Sequence, residues 1–267
     1  MRKICIINQK GGVGKTTTTI SLASGLARAG KKILLIDFDA QGNIAASLHL
    51  KPQKTIYHLL IDGLEPQKCI TPALKNIDVI ASDNALHKAE LILSGQPNRE
   101  MTLKRIMNHL NTYDYILIDC PPTLNLLNYN ALIYATEAII PVSTDYLGIE
   151  GLKKMLDIIT QIEKLFEHTV KVTAVIPTLY DSRSKICKES LEEIKNLAPT
   201  TVTAPIRINS KLKEAPKYGK PIFDYNKSAN GAKDYDGIVQ SLLASERTFS
   251  QQKEAKQLKS SKAWMMN

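Results

Sequence analysis

Nowhere in the 267 residues is there a run of about eighteen apolar side chains. The amino terminus, Met1-Arg2-Lys3 and then the short apolar run Ile4 to Ile7, reaches glycine and charge too soon to make a leader. Neither a membrane span nor a signal peptide is expected. Cysteine is scarce: Cys5, Cys69, Cys120 and Cys187 stand far apart, with no CxxC or other metal-ligand spacing. That argues against a disulfide framework or a zinc site and makes a reducing cytosol the natural compartment. Acidic charge is also short, with 26 Asp and Glu against 35 Lys and Arg and a formal net charge of +9. A basic balance of this size favours attraction to nucleic acid or to an anionic membrane surface.

What is present is hydrophobic enough, at 43%, to bury one sizeable core. Short apolar runs read as buried strands at Lys3 to Asn8, Ile33 to Asp37, Val79 to Ala81, Tyr115 to Asp119, Ala138 to Val142 and Val170 to Ile176. Helix-like stretches lie between them at Lys15 to Ala29, Leu126 to Ala135, Gly148 to Phe166 and Ser184 to Leu197. Parallel neighbours need helical crossovers, so the alternation predicts an α/β fold: one doubly wound, mostly parallel sheet with helices on both faces. Ligands of such sheets bind at the carboxyl ends of strands. Gly30, Gly63, Pro66, Pro121-Pro122 and the basic stretch Pro216 to Pro221 mark the breaks. From about Arg247 the chain turns to Ser, Gln and Lys with little apolar periodicity, which predicts a folded domain over 1–246 and a frayed basic tail over 247–267.

Directly after the first strand stands Lys10-Gly11-Gly12-Val13-Gly14-Lys15-Thr16-Thr17, opening a helix. Glycines let the backbone wrap its N–H groups around phosphate oxygens, and the helix adds its positive amino end. Lys15 is then placed to neutralise β and γ phosphates, and the Thr16 hydroxyl to ligate Mg²⁺. ATP with Mg²⁺ is the expected cofactor pair. The general phosphate-loop pattern asks for glycine at position 9, where this chain has Gln9, and it carries a lysine at position 10 instead.

That arrangement resembles the deviant Walker A motif, KGGxGKT, of the ParA/MinD superfamily of P-loop ATPases. The resemblance implies an ATP-sandwich homodimer in which Lys10 reaches the partner's phosphates. Ile33 to Asn43, ending Asp37-Phe38-Asp39-Ala40-Gln41-Gly42-Asn43, is similar to the family's DxDPQGN segment with Ala40 in place of proline. By that likeness Asp39 is the catalytic carboxylate that positions the attacking water. Tyr115 to Pro122 resembles the Walker B and switch II segment, which implies that Asp119 holds Mg²⁺. Thr178 to Arg183 resembles the small-ParA segment TxYDxR, and Ile206 to Pro216 resembles IPRNVRLSEAP. These imply DNA contacts from Arg183 and Lys211, and nucleotide contacts from Arg207 and Asn209.

The likeness runs to about residue 245 and is closest to small, Soj-like ParA proteins. It implies a partitioning ATPase whose ATP dimer binds double-stranded DNA without sequence preference, stays with the nucleoid, and is released by hydrolysis that a ParB-like partner stimulates. A MinD-like membrane-cycling regulator is the alternative, but it needs an amphipathic carboxyl-terminal helix, and Phe249, Leu258 and Trp264 make a sparse apolar set. An iron–sulfur ATPase needs a bridging cysteine pair, and none is spaced for it.

Overall fold

Each of the six apolar runs forms a strand in the computed structural model, which describes residues 1–246. The strands are β1 (Arg2–Ile6), β2 (Ile33–Asp37), β4 (Ile77–Ile80), β5 (Tyr115–Asp119), β6 (Glu137–Ser143) and β7 (Lys171–Thr178). A further strand, β3 (Ile70–Leu74), was not legible in the sequence. Its ITPAL stretch is only half-buried, carries Pro72 and pairs antiparallel to β4 with a bulge between Pro72 and Leu74. Proline is tolerated there because β3 is an edge strand. The sheet order is β3-β4-β2-β5-β1-β6-β7, and every pairing except β3 with β4 is parallel.

The helices are α1 (Lys15–Arg28), α2 (Asn43–Ser47), α3 (Ile56–Leu60), α4 (Pro66–Cys69), α5 (Leu86–Ser94), α6 (Thr102–Ile106), α7 (Leu126–Tyr134), α8 (Tyr146–Phe166), α9 (Lys185–Leu197), α10 (Ser210–Glu214), α11 (Ile222–Tyr225) and α12, which occupies 230–246. The four long helices expected from the sequence are α1, α7, α8 and α9. Of the helices between 43 and 106, α2, α3, α4 and α6 escaped notice because four or five residues are barely one turn, too few to show a period, and the nine-residue α5 was missed as well. The expected tail over 247–267 lies outside the described residues.

Central strands β2 and β5 are buried along their whole length, as their unbroken ILLID and YILID runs require of strands covered on both faces. Alternate residues feed two cores: Cys5, Leu34, Ile36, Ile116 and Ile118 on one face, with α3, α5, α7 and α8. Ile4, Ile6, Ile33, Leu35 and Leu117 face the other, against α1 and α12.

At Gly25, α1 packs closely on α12 and α11. A methyl group there would stand 2.5 Å from Val239 Cγ2 and 3.1 Å from Phe223 Cε2. Replacing Gly25 by Ala would overpack this seam and should cost about 1–3 kcal/mol of stability. A urea denaturation midpoint equal to that of the wild type would contradict the tight α1–α12 seam.

Because β5 inserts between β1 and β2, three strand ends open side by side. The parallel register places Asp119 level with both Ile6 and Asp37. This is where the chain order reverses across the sheet, the usual crevice for a ligand of an open α/β sheet.

Candidate nucleotide site

The loop leaving β1 reaches α1 through Gly12 at φ +75° and Gly14 at φ +88°. Both lie in the left-handed region, where a side chain is strained and glycine is not. Gly14 is also the residue at the amino cap of α1, so no side chain caps the helix, and no acidic residue stands in its first turn. The first-turn N–H groups are left for an anion, and the helix dipole favours one.

Lys15 is buried and donates from Nζ to the backbone oxygen of Lys10 at 3.1 Å. Burial lowers its pKa, and the charges of Asp119 and Asp39 pull the other way. A buried ammonium whose near partner is only a carbonyl is well placed to take a phosphate oxygen. Thr16 Oγ1 donates to Asp119 Oδ2 at 2.6 Å, and Thr19 Oγ1 donates to Oδ1 at 3.3 Å. Asp119 is itself buried, and burial pushes its pKa up to about 7, against the hydrogen bond from Thr16 and the charge of Lys15. A carboxylate and a hydroxyl this close offer hard oxygen donors of the kind Mg²⁺ prefers, so these residues fit the metal that ATP chemistry requires.

The two acids that end β2 divide their work. Asp37 is fully buried and accepts from the backbone N–H of Asp39 at 3.0 Å and of Ile44 at 3.1 Å. Burial and then the neighbouring Asp119 raise its pKa well above the ordinary carboxylate value. It shapes the turn that presents Asp39. The Asp39 carboxylate is less buried, accepts from Gln41 N at 3.0 Å and keeps its other oxygen for solvent or ligand.

Lys10 turns back onto its own chain. Its Nζ donates to Asp145 at 2.6 and 2.8 Å and to Ser143 Oγ at 2.9 Å. Asp145 caps α8 through Gly148 N at 2.7 Å. Burial would raise the Asp145 pKa, but Lys10 and the Gly148 N–H outweigh it and hold the carboxyl below its ordinary value. The loop is further pinned by Asn8, which accepts from Lys10 N at 2.9 Å and donates to Pro141 O at 2.7 Å, and by Thr178, which donates to Val13 O at 2.9 Å. Asn8, Asp37, Ser143, Asp145 and Thr178 were not singled out from the sequence. Asp145-Tyr146-Leu147-Gly148 carries the sign of a helix cap, but no local pattern joins position 145 to position 10.

The remaining sequence candidates sit farther out. Arg183 follows β7 in an exposed loop, its side chain 89% accessible and paired with Asp181 at 2.8 Å. Arg207 is tied to Asp234 at 2.6 Å, Asn209 caps α10 by accepting from Lys211 N, and Lys211 pairs with Glu214 at 2.7 Å. Thus Arg207 is held by α12, and Asn209 is engaged within its own segment. The stretch that follows them brings Leu212 and Pro216 to a cleft of 180 Å³ whose other wall includes Thr16, Thr17, Ile20 and Asn43.

With this geometry in place, comparison with known proteins is decisive. The AAA domain profile matches residues 1–172. Over 246 residues the chain is 36% identical to the chromosome-partitioning ATPase Soj of Treponema pallidum, covering 91% of this chain and 97% of that one. Over 248 residues it is 38% identical to the chromosome partitioning protein ParA of Myxococcus xanthus, covering 91% and 88%. The chain belongs to the Soj/ParA family of chromosome-partitioning ATPases.

Family membership agrees with the likeness read from the phosphate loop, and the sheet agrees with the expected α/β architecture. Among solved structures, cobyrinic acid a,c-diamide synthase from Mycobacterium smegmatis with bound ATP analog and magnesium is similar at a TM-score of 0.79 and 29% identity, over 91% of this chain and 94% of that one. No helix among the described residues is long and apolar enough to cross a membrane. All four cysteines are free and buried.

Proposed function

We propose that this Soj/ParA-family chain is a nucleotide-switched partitioning ATPase: with ATP and Mg²⁺ it forms a homodimer that binds double-stranded DNA without sequence preference, and hydrolysis stimulated by a ParB-like partner releases it. The observation that carries the reading is the pair of lysines on one glycine loop. Lys15 is buried at the helix start, and Lys10 stands at the rim with its ammonium on a partly exposed carboxylate. The first serves the chain's own nucleotide; the second is free to serve another's.

In this reading the backbone of Gly11 to Thr17 cradles the phosphates, while Leu212 and Pro216 give the nucleoside an apolar wall. Arg207 and Asn209 then act by shaping that wall. Thr16 and Asp119 would hold Mg²⁺, which would supply neutralisation of phosphate charge. Asp39, presented by the Asp37 turn, orients the water in line with the γ-phosphorus. Arg183 and Lys211 contribute to the DNA surface, where phosphate contacts position without reading sequence. Location at the nucleoid in the cytoplasm follows from that affinity. The MinD-like alternative would need a membrane-binding helix, and the described residues supply no observation that favours it.

Asp39→Ala tests the site. It should bind ATP as the wild type does and accumulate the dimer, while turnover falls by about 100-fold or more, because a transition-state contact is lost and ground-state contacts remain. Light scattering in ATP and phosphate release measure both. Wild-type turnover in this variant would remove Asp39 from the mechanism.

A further inference from the structure

The segment between Asp119 and α7 lies directly on the phosphate loop: a methyl group on Gly11 would stand 4.0 Å from Pro122 Cβ. Two of its residues, Pro121 and Pro122, have no N–H to give, so the segment cannot be fixed by an ordinary backbone ladder. A side chain fixes it. Asn128, 1% exposed in the first turn of α7, donates from Nδ2 to Thr123 O at 2.9 Å and to Pro121 O at 3.4 Å.

The other end of the same turn is tied from outside. Asn125 caps α7 by accepting from Asn128 N at 3.2 Å, and its own Nδ2 donates to Glu90 on α5 at 3.1 Å. Glu90 also accepts from Leu126 N at 3.2 Å. The Asn128 amide oxygen, by contrast, is buried and has no hydrogen-bond partner among the described residues. An unmet acceptor is costly inside a protein and marks an arrangement that a different loop position could complete.

We propose that Asn128 is a positioning residue for hydrolysis: its amide clamps the Pro121 and Thr123 carbonyls so that the segment after the magnesium-site Asp119 closes on the phosphate loop, with Glu90 and Asn125 bracing the clamp from α5. Asn128 touches no phosphate. It acts through Pro122, which lies beside Gly11 of the phosphate loop. The clamp therefore matters most when the loop must hold a fixed position over the γ-phosphate, and least for nucleotide binding through Lys15 and the helix start. Nothing in the α/β pattern draws attention to Asn128, because an asparagine near a helix start reads as ordinary capping.

The inference rests on the ATPase reading, and the experiment separates the two. Asn128→Asp keeps the shape and removes the donor, while Asn128→Ala removes the side chain. Wild type, both variants and Glu90→Gln are compared for steady-state hydrolysis, ADP affinity and thermal midpoint, each as full-length protein. The expected result is a kcat about tenfold or more lower in Asn128→Asp and Asn128→Ala, with ADP affinity within about twofold of wild type, and a smaller fall in Glu90→Gln. If Asn128→Asp hydrolyses ATP at the wild-type kcat, the positioning role is wrong. If ADP affinity and kcat fall together with the thermal midpoint, Asn128 is merely structural and the proposal is likewise overturned. An inactive wild type that also fails to bind ATP would instead count against the ATPase reading itself.

Discussion

Lys15→Ala should lose nucleotide binding almost completely, with an affinity for ATP or ADP about 100-fold weaker than wild type. The Lys15 ammonium is buried, and its near hydrogen-bond acceptor is the carbonyl of Lys10. A charge-assisted hydrogen bond to phosphate in such a place contributes about 1.5–3 kcal/mol, and about 1.4 kcal/mol is tenfold in affinity. Burial disfavours the charged form in the free protein and the charges of Asp119 and Asp39 offset it only in part, so an incoming phosphate adds counter-charge beside the ammonium. The helix-start N–H groups and Thr16 remain in the variant and keep a residual, weak site. Equilibrium titration with a fluorescent ADP measures the loss, and unchanged affinity would remove the phosphate loop from the account.

Lys10→Ala should give the opposite division: ATP binding to the single chain near wild type and ATP-dependent dimerisation abolished. The oxygen that receives the Lys15 ammonium belongs to the backbone of residue 10, so truncating its side chain leaves that contact in place. The pair with Asp145 is also dispensable for the fold. Its two side chains are 27% and 46% exposed, and such pairs contribute roughly 0–1 kcal/mol. The same weakness lets Lys10 leave Asp145 at little cost when a better acceptor arrives. In the proposed closed dimer two polyphosphates would face each other, and Lys10 of the opposite chain would add a counter-charge to the neutralisation that Lys15 supplies within each chain. Light scattering in ATP decides between a monomer, as expected, and a dimer, which would refute the crossed-lysine arrangement.

How far the sequence carried the argument depended on whether the signal was local. The phosphate loop and α1 were legible because glycine spacing, strand and helix follow one another within a few residues, and Asp119 drew attention as the end of an apolar strand that resembles Walker B. The doubly wound sheet was legible because its strands are unbroken apolar runs. Edge strand β3 was hidden by its proline and half exposure, and α2, α3, α4 and α6 by their shortness. The contacts that tune the site were hidden for a different reason. Lys10 meets Asp145, Val13 meets Thr178 and Thr16 meets Asp119 across more than a hundred positions, and such partners are chosen by sheet order rather than by neighbouring residues. Asp37 shows the difficulty at short range: the motif drew attention to Asp39, while full burial makes Asp37 a brace for the turn and leaves Asp39 half-buried. Arg207 meets Asp234 on α12, a partner 27 positions away that no local pattern announces, while Asn209 caps α10.

The central claim is that nucleotide state controls DNA affinity, and one titration tests it most directly: binding of full-length protein to an unrelated duplex in ATP, in ADP and without nucleotide, each at two salt concentrations. The account predicts tight binding in ATP alone, weakening steeply as salt rises because a dimer neutralises many phosphates. A net charge of +9 also allows weak attraction in every state, so the difference between states, and not binding itself, is the reading that counts. Equal affinity and equal salt dependence in ATP, ADP and nucleotide-free protein would contradict it.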